Sequence, residues 1–203
     1  MERVGNALMQ SLARGLQLHE NHFDNLFNNS ISTLRILRYP LRSPETFGDK
    51  NSEGAEVKVD GEVSYTSKRP HVDSGVLTLL LQDGVPGLQV QDREGSWQSI
   101  PPTEATLVVN FGRLLEILTS GRIRATPHRV VARNEERFSI AFFYEPSVDA
   151  LIKPLPIENS LIFEPFYYGD FVWEFATRFI EQRSIKHLRV PRGPIPKSIF
   201  VEP

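Results

Sequence analysis

The chain has no cysteine among its 203 residues, which excludes disulfides and thiolate metal sites and fits a reducing compartment. No segment approaches the ~20 consecutive apolar residues that a membrane-spanning helix needs. A secretion signal is not visible either. In MERVGNALMQSLARGLQLHE the charges of Glu2 and Arg3 come first, and Gln10, Arg14 and Gln17 interrupt the apolar residues. An excess of one charge is missing too, since 23 Lys and Arg stand against 25 Asp and Glu, a formal net charge of −2. Nothing in that balance draws the chain to nucleic acid or to an anionic membrane. The expectation is a soluble, cytoplasmic protein with neither as a partner.

The composition that is there is ordinary for a globular protein, 40% hydrophobic and 24% charged, and the length suits one domain with a sizeable core. Val4, Leu8, Leu12 and Leu16, with Ala7 between them, recur at helical spacing and predict an amphipathic helix over 3–14, ended or weakened by Gly15. NHFDNLF predicts a short second helix with Phe23, Leu26 and Phe27 on one side. TLRILRY (33–39) alternates as a strand that Pro40 closes. Residues 41–70, rich in Gly, Ser, Asp, Glu and Lys, read as a long loop with room for a hairpin around Asp60-Gly61. From 71 to 146 short strands (LTLLL, GLQVQ, SWQSI, ATLVVNF, HRVVA, FSIAFFY) alternate with turn signals such as DGVPG, DREG, TSGR and RNEE. That pattern predicts an antiparallel sandwich or barrel. In YYGDFVWEFATRFIEQRSIKHL, Val172, Phe175, Ala176, Phe179 and Ile180 form a helical stripe, with Arg183, Lys186 and His187 near the end that favours cations. The tail RVPRGPIPKSIFVEP reads as extended. The chain thus divides into a helical lead-in (1–30), a β-rich core (31–150) and a C-terminal loop, helix and tail (151–203).

The chemistry concentrates in RPHVDSG. His71 and Asp73 are two residues apart, so a strand projects both to one face, and a carboxylate buried there needs a partner. His128 opens a second β-branched run. Two histidines and a carboxylate can occupy one face of an octahedral metal and leave three positions open, the arrangement of non-haem Fe(II) oxygenases. A His-x-Asp pair alone arises readily as a surface or core pair. In RFSIAFFYEP, however, Arg137 and Ser139 are again two apart, and a guanidinium beside a hydroxyl is a good clamp for a carboxylate.

His-x-Asp, a later histidine and then Arg-x-Ser, in that order, resemble the Fe(II)/2-oxoglutarate dioxygenases of the isopenicillin N synthase-like family. HVDSGVLTLLLQDGVPGLQVQDREGSWQSIPP, LVVNFG, TSGRIRATPHRV and RFSIAFFYEP are similar to family blocks in family order, and LRILRYP, the N-terminal helix and YYGDF extend the likeness over nearly the whole chain. The resemblance implies a double-stranded β-helix (a jelly roll, cupin-like), mostly β with flanking helices. It implies Fe(II) held by His71, Asp73 and His128. Arg137 and Ser139 would hold the distal carboxylate of the co-substrate 2-oxoglutarate, with a hydrogen bond from Tyr39. The implied reaction consumes O2, converts 2-oxoglutarate to succinate and CO2, and hydroxylates or desaturates a small organic molecule. Two alternatives stay open: an oxidase of the family that does not use 2-oxoglutarate, and a shortened, non-catalytic paralogue that binds metal or a partner.

The chain departs from the family pattern in places. Leu37 stands where an asparagine near the co-substrate is common, Val72 where a threonine is common, and Arg113 where an aspartate is frequent; no role for Arg113 is evident from sequence. The sequence starts at the family's long helix, so the expectation is that the region preceding it in the family is missing. Seven strand-like segments run from TLRILRY to FSIAFFY, one short of the eight in a jelly roll. Either AEVKVDGEVSY supplies another strand or a sheet edge stays open and invites association; with apolar surface on the 3–14 helix left uncovered as well, the expectation is a chain that binds iron but is marginally stable, self-associating and weakly active. HENH (His19–His22) lacks the spacing of a zinc-protease motif, and His187, Trp97, Trp173, Asp149 and Glu158 read as surface, edge or core residues.

Overall fold

A computed structural model describes residues 1–41, 56–59, 62–132, 135–177 and 180–196. The helix α1 (Glu2–Gly15) and a 3-10 turn (Asp24–Phe27) lead into β1 (Thr33–Tyr39), β2 (Glu56–Val59), β3 (Glu62–His71), β4 (Leu77–Gln82), β5 (Leu88–Gln91), β6 (Trp97–Ser99) and β7 (Val108–Phe111). Then come α2 (Arg113–Leu118), β8 (His128–Val131), β9 (Arg137–Tyr144), the short β10 (Leu151–Ile152) and β11 (Phe166–Tyr167), α3 (Tyr168–Ala176) and a 3-10 segment (Ile180–Leu188). The strands form a four-stranded sheet ordered β1-β9-β4-β7 and a five-stranded sheet ordered β2-β3-β8-β5-β6, all antiparallel, with β10 and β11 as a separate pair. The architecture is a jelly roll.

Strand periodicity gives the four-stranded sheet two different faces. Along β9, Arg137, Ser139, Ala141 and Phe143 turn inward to a cavity between the sheets, while Phe142 and Tyr144 turn outward into the core under the helices. That core joins Met9 and Ala13 of α1, Leu77 and Leu79 of β4, Leu114 and Leu115 of α2, and Phe171 of α3. Burying each of the larger side chains contributes about 1.5–3 kcal/mol, so the outer face carries much of the stability and leaves the inner one to polar groups. At the β1 edge the outward Leu34 and Ile36 remain exposed.

The buried line of α1 is Gly5, Met9 and Ala13, with Leu8, Leu12 and Leu16 half-buried beside it and Val4 exposed. The predicted stripe is therefore rotated. The small Gly5 lets the helix lie on the Tyr144 ring, where an added Cβ would come within 3.0 Å of ring carbons. Residues 56–59 and 62–71 are strands rather than loop, paired from Val59↔Glu62 onward; the turn at Asp60-Gly61 and residues 42–55 lie outside the described residues. The two main sheets thus hold nine strands, and AEVKVDGEVSY does supply strand. Its charge and the Lys68-Arg69-Pro70 run hid it.

Two further differences concern helices. α2 escaped the sequence reading because it has only six residues, with Leu114, Leu115, Ile117 and Leu118 all buried, too short to show a period. The C-terminal helix stops at Ala176, where the Thr177 hydroxyl bonds back to the Trp173 carbonyl at 2.7 Å. Lys186 consequently pairs with Glu174 at 2.8 Å instead of sitting at that helix's end. Phe179, the side chains of Ile180 and Arg183, residues Arg133 and Asn134, and the last part of the tail lie outside the described residues.

Gly112 is the tightest backbone approach. Its N–H donates to the Val76 carbonyl at 3.0 Å, and a Cβ there would overlap the Gly75 carbonyl oxygen. Gly112→Ala should cost about 1–3 kcal/mol or more, whereas Gly15→Ala, where an added Cβ meets nothing within 4 Å, should gain up to about 1 kcal/mol. Urea unfolding of the metal-free protein checks both; equal stabilities would contradict the packing described.

Candidate metal centre

Two register shifts along β3, after Thr66 and after Lys68, bring His71 directly opposite His128 on β8. The imidazole centroids are 4.3 Å apart. Nδ1 of His71 lies 2.8 Å from the Arg69 carbonyl and Nδ1 of His128 lies 2.9 Å from that of Thr126. A carbonyl can only accept, so each Nδ1 carries a proton, and in the neutral ring this leaves Nε2 its lone pair, the tautomer a metal ligand needs. Burial, and after it the neighbouring His128, lowers the pKa of His71 to about 4, which leaves it neutral at pH 7.

Asp73 is buried beside them. Its Oδ2 accepts hydrogen bonds from the Thr78 hydroxyl at 2.6 Å and the Asn110 amide at 2.8 Å. This turns Oδ1 toward the histidines, 3.9 Å from Nε2 of His71 and 3.7 Å from Nε2 of His128. The three ligating atoms lie within 4.8 Å of one another, the one such group among the described residues. Neighbouring ligands of an octahedral ion with bonds of about 2.0–2.2 Å are about 3 Å apart, so small side-chain rotations bring all three to one ion. The donor set, two imidazoles and a carboxylate, suits a divalent transition metal.

The loop that carries Asp73 is strapped to the start of α2. The Arg113 N–H donates to the Asp73 carbonyl at 2.8 Å and the Leu114 N–H to that of Ser74 at 3.1 Å. Arg113 therefore serves the site through its backbone, and its guanidinium pairs with Glu116 at 2.6 Å.

A cavity of about 300 Å³ opens beside the three ligands and reaches Arg137, Ser139 and Tyr39. Arg137 is only 2% exposed. Its Nε donates to the Val85 carbonyl and its Nη2 to Gln82, both at 3.2 Å, and the Tyr39 ring lies 5.1 Å from the guanidinium carbon. Nη1 is buried without an acceptor. Burial lowers the guanidinium's pKa, against the pull of Tyr39 and Asp83, yet an arginine stays charged. A buried, charged donor without a partner is costly, and a carboxylate in the cavity would relieve it. Leu37, paired with Ser139 in register, lines the same cavity and offers no polar contact in place of the family's asparagine.

All six residues singled out from sequence thus border one cavity or its metal-ligating end. Sequence reasoning missed Thr78 and Asn110, although each is a polar residue at an inward position of an apolar strand. It also missed Glu145, whose carboxyl accepts from the Ser74 hydroxyl at 3.1 Å and whose pKa burial pushes up. His19 and His187 are exposed and remote from any ligand cluster, and His22 is edge-on to Phe23. No described helix is long and apolar enough to cross a membrane.

Residues 34–146 match the family model of the 2OG-Fe(II) oxygenase superfamily, and the chain belongs to that superfamily. It is 35% identical over 158 residues to clavatol oxidase of Penicillium crustosum, a match covering 76% of this chain and 43% of that protein. With gibberellin 2-beta-dioxygenase 4 of Arabidopsis thaliana it shares 32% identity over 176 residues, or 85% of this chain and 53% of that one. Among solved structures, a full-length Neurospora crassa protein in complex with alpha-KG and 5-formyluracil matches with a TM-score of 0.73 at 28% identity, covering 88% of this chain and 57% of that one. The chain spans about half the length of the curated relatives it matches.

Thr78→Val keeps the shape but removes one of the two donors that turn Asp73. The loss of one charge-assisted hydrogen bond is worth about 1.5–3 kcal/mol, so divalent-metal affinity should fall by roughly one to two decades. Calorimetric titration with Mn(II) measures it, and an unchanged affinity would show that Asp73 orients itself.

Proposed function

We propose that this chain is the catalytic part of an Fe(II)- and 2-oxoglutarate-dependent oxygenase that hydroxylates or desaturates a small organic molecule, releasing succinate and CO2. The observation that carries the reading is the buried Nη1 of Arg137, which lacks an acceptor at one end of a cavity whose other end is the His71, Asp73 and His128 cluster. That spacing of a carboxylate clamp and three metal-ligating atoms suits a short dicarboxylate that also chelates a metal.

In this reading Nε2 of His71, Oδ1 of Asp73 and Nε2 of His128 would hold the ion on one face and leave its other positions to ligands. Iron bound there would supply the activation of O2 that protein side chains cannot perform. Arg137 would take the distal carboxylate of 2-oxoglutarate through Nη1, with Ser139 beside it and the Tyr39 ring against the guanidinium. Thr78 and Asn110 keep Asp73 from turning away, and the apolar Leu80 and Val130 on the same walls exclude water from the reacting end. An oxidase that does not use 2-oxoglutarate would place its own substrate's carboxylate on Arg137, and succinate formation separates the two.

Titration with Fe(II) under argon should show one site, lost in His71→Ala and in Asp73→Ala; full affinity in either variant means the ligands are misassigned. Arg137→Lys keeps the charge but loses the planar fork. It should weaken 2-oxoglutarate binding by roughly one to two decades and leave iron binding nearly unchanged. Succinate that accumulates in proportion to 2-oxoglutarate consumed is the expected turnover signal; equal 2-oxoglutarate affinity in wild type and Arg137→Lys would remove the clamp from the mechanism.

A further inference from the structure

A second cavity, of about 240 Å³, meets the metal-ligating cluster from the other side. It shares Arg35, Lys68, His71, Asp73 and Phe143 with the first cavity but leads away from Arg137, toward Thr33, Glu145 and Phe175. Given the reading above, on which this inference rests, 2-oxoglutarate fills the first cavity and the second is the space left beside the ion. We infer that this second cavity takes the substrate proper, and that it selects a small carboxylic acid with an apolar body, anchored by Arg35.

Arg35 lies on β1 two residues before Leu37 and four before Tyr39, so strand alternation turns all three to the inner face. The neighbouring Arg38 is neutralised by Glu136, with Nη2 2.6 Å from its carboxylate. Arg35 differs: its guanidinium carbon lies 5.7 Å from the centre of the Phe143 ring, and among the described residues it meets no carboxylate at ion-pair distance. A planar fork with free donors beside a metal site is suited to a carboxylate. Lys68 lines the same walls. The remaining lining is largely apolar or aromatic, from Val72, Phe143, Phe175 and Ala176, and suits a hydrocarbon or aryl body. Glu145 is the one acid in the cavity besides the ligand Asp73. Burial raises its pKa, against the hydrogen bonds from Ser74 and Tyr168 and the pull of Arg35.

The probes are a panel of aryl- and alkyl-carboxylic acids, each paired with its neutral amide, titrated calorimetrically under argon into the full chain loaded with Fe(II) and 2-oxoglutarate. The panel should contain acids that bind at least about tenfold tighter than their amides, the lower end for a charge-assisted contact. Arg35→Leu should erase that preference while its amides bind as they do to wild type. Failure of loading with Fe(II) and 2-oxoglutarate would overturn the oxygenase reading and this inference with it. Normal loading with no acid preference, or a preference that survives Arg35→Leu, would overturn the inference alone. The exposed position of Arg35 on an edge strand makes the variant readily folded, and the wild-type comparison of acid with amide stands without it.

Discussion

The constraint on which the site depends is the buried carboxylate of Asp73. One oxygen is saturated by Thr78 and Asn110, and the other points at Nε2 of His71 and of His128, rings whose Nδ1 atoms are engaged by backbone carbonyls. Three electron-rich atoms therefore face each other inside the protein, with His71 held neutral by its surroundings. A burial of this kind is unfavourable unless a cation joins it. The backbone around it is arranged to keep that geometry. The shifted register of β3 sets His71 against His128, the start of α2 grips the Asp73 loop, and the bond from each Nδ1 fixes its ring.

The two sheets divide the work. The four-stranded sheet turns its apolar side to the helices, and the packing there lets its inner side carry polar groups such as Arg137, Ser139, Thr78 and Asn110. The five-stranded sheet contributes both histidines, and its outer region is held by other means, with Arg129 bonded to Gln89 at 2.8 Å and stacked 4.1 Å over Trp97. Because β9 and β1 lie side by side, Arg137, Ser139 and Arg35 line one cavity beside the cluster of His71, Asp73 and His128.

Much of this was legible in the residue pattern. Arg137 and Ser139 sit two apart on β9, so alternation alone put that pair on one face, and the strand at Thr33–Tyr39 has the bounds its alternation predicted. His71 instead ends β3 and Asp73 lies in the loop beyond it, so their meeting is set by that loop and not by alternation. What stayed hidden depends on contacts between distant segments. The side of α1 that is buried is decided by where Gly5 meets Tyr144, not by where its leucines fall. The strand through Lys68-Arg69-Pro70 forms because β8 pairs with it across two irregularities, against its local composition. Thr78 and Asn110 look like ordinary strand residues until the fold sets both against one carboxylate oxygen, and α2 is too short to announce itself.

The last part of the described chain has a bearing on how the protein can be observed. Asp170, in the first turn of α3, is almost fully buried and bonds Arg189 at 2.8 Å and the Arg192 N–H at 2.8 Å. The segment leaving that helix therefore returns to its beginning and is clasped there by charge, with Arg189 still partly open to solvent. A clasp of that kind is weakened by salt as well as by the loss of either partner. Between the two ends, the indole Nε1 of Trp173 donates to the Lys186 carbonyl at 3.1 Å, while Trp97 belongs to the five-stranded sheet. Trp173 fluorescence is thus a built-in optical reporter of whether the C-terminal segment is docked, readable without labels and against a background of a single other indole.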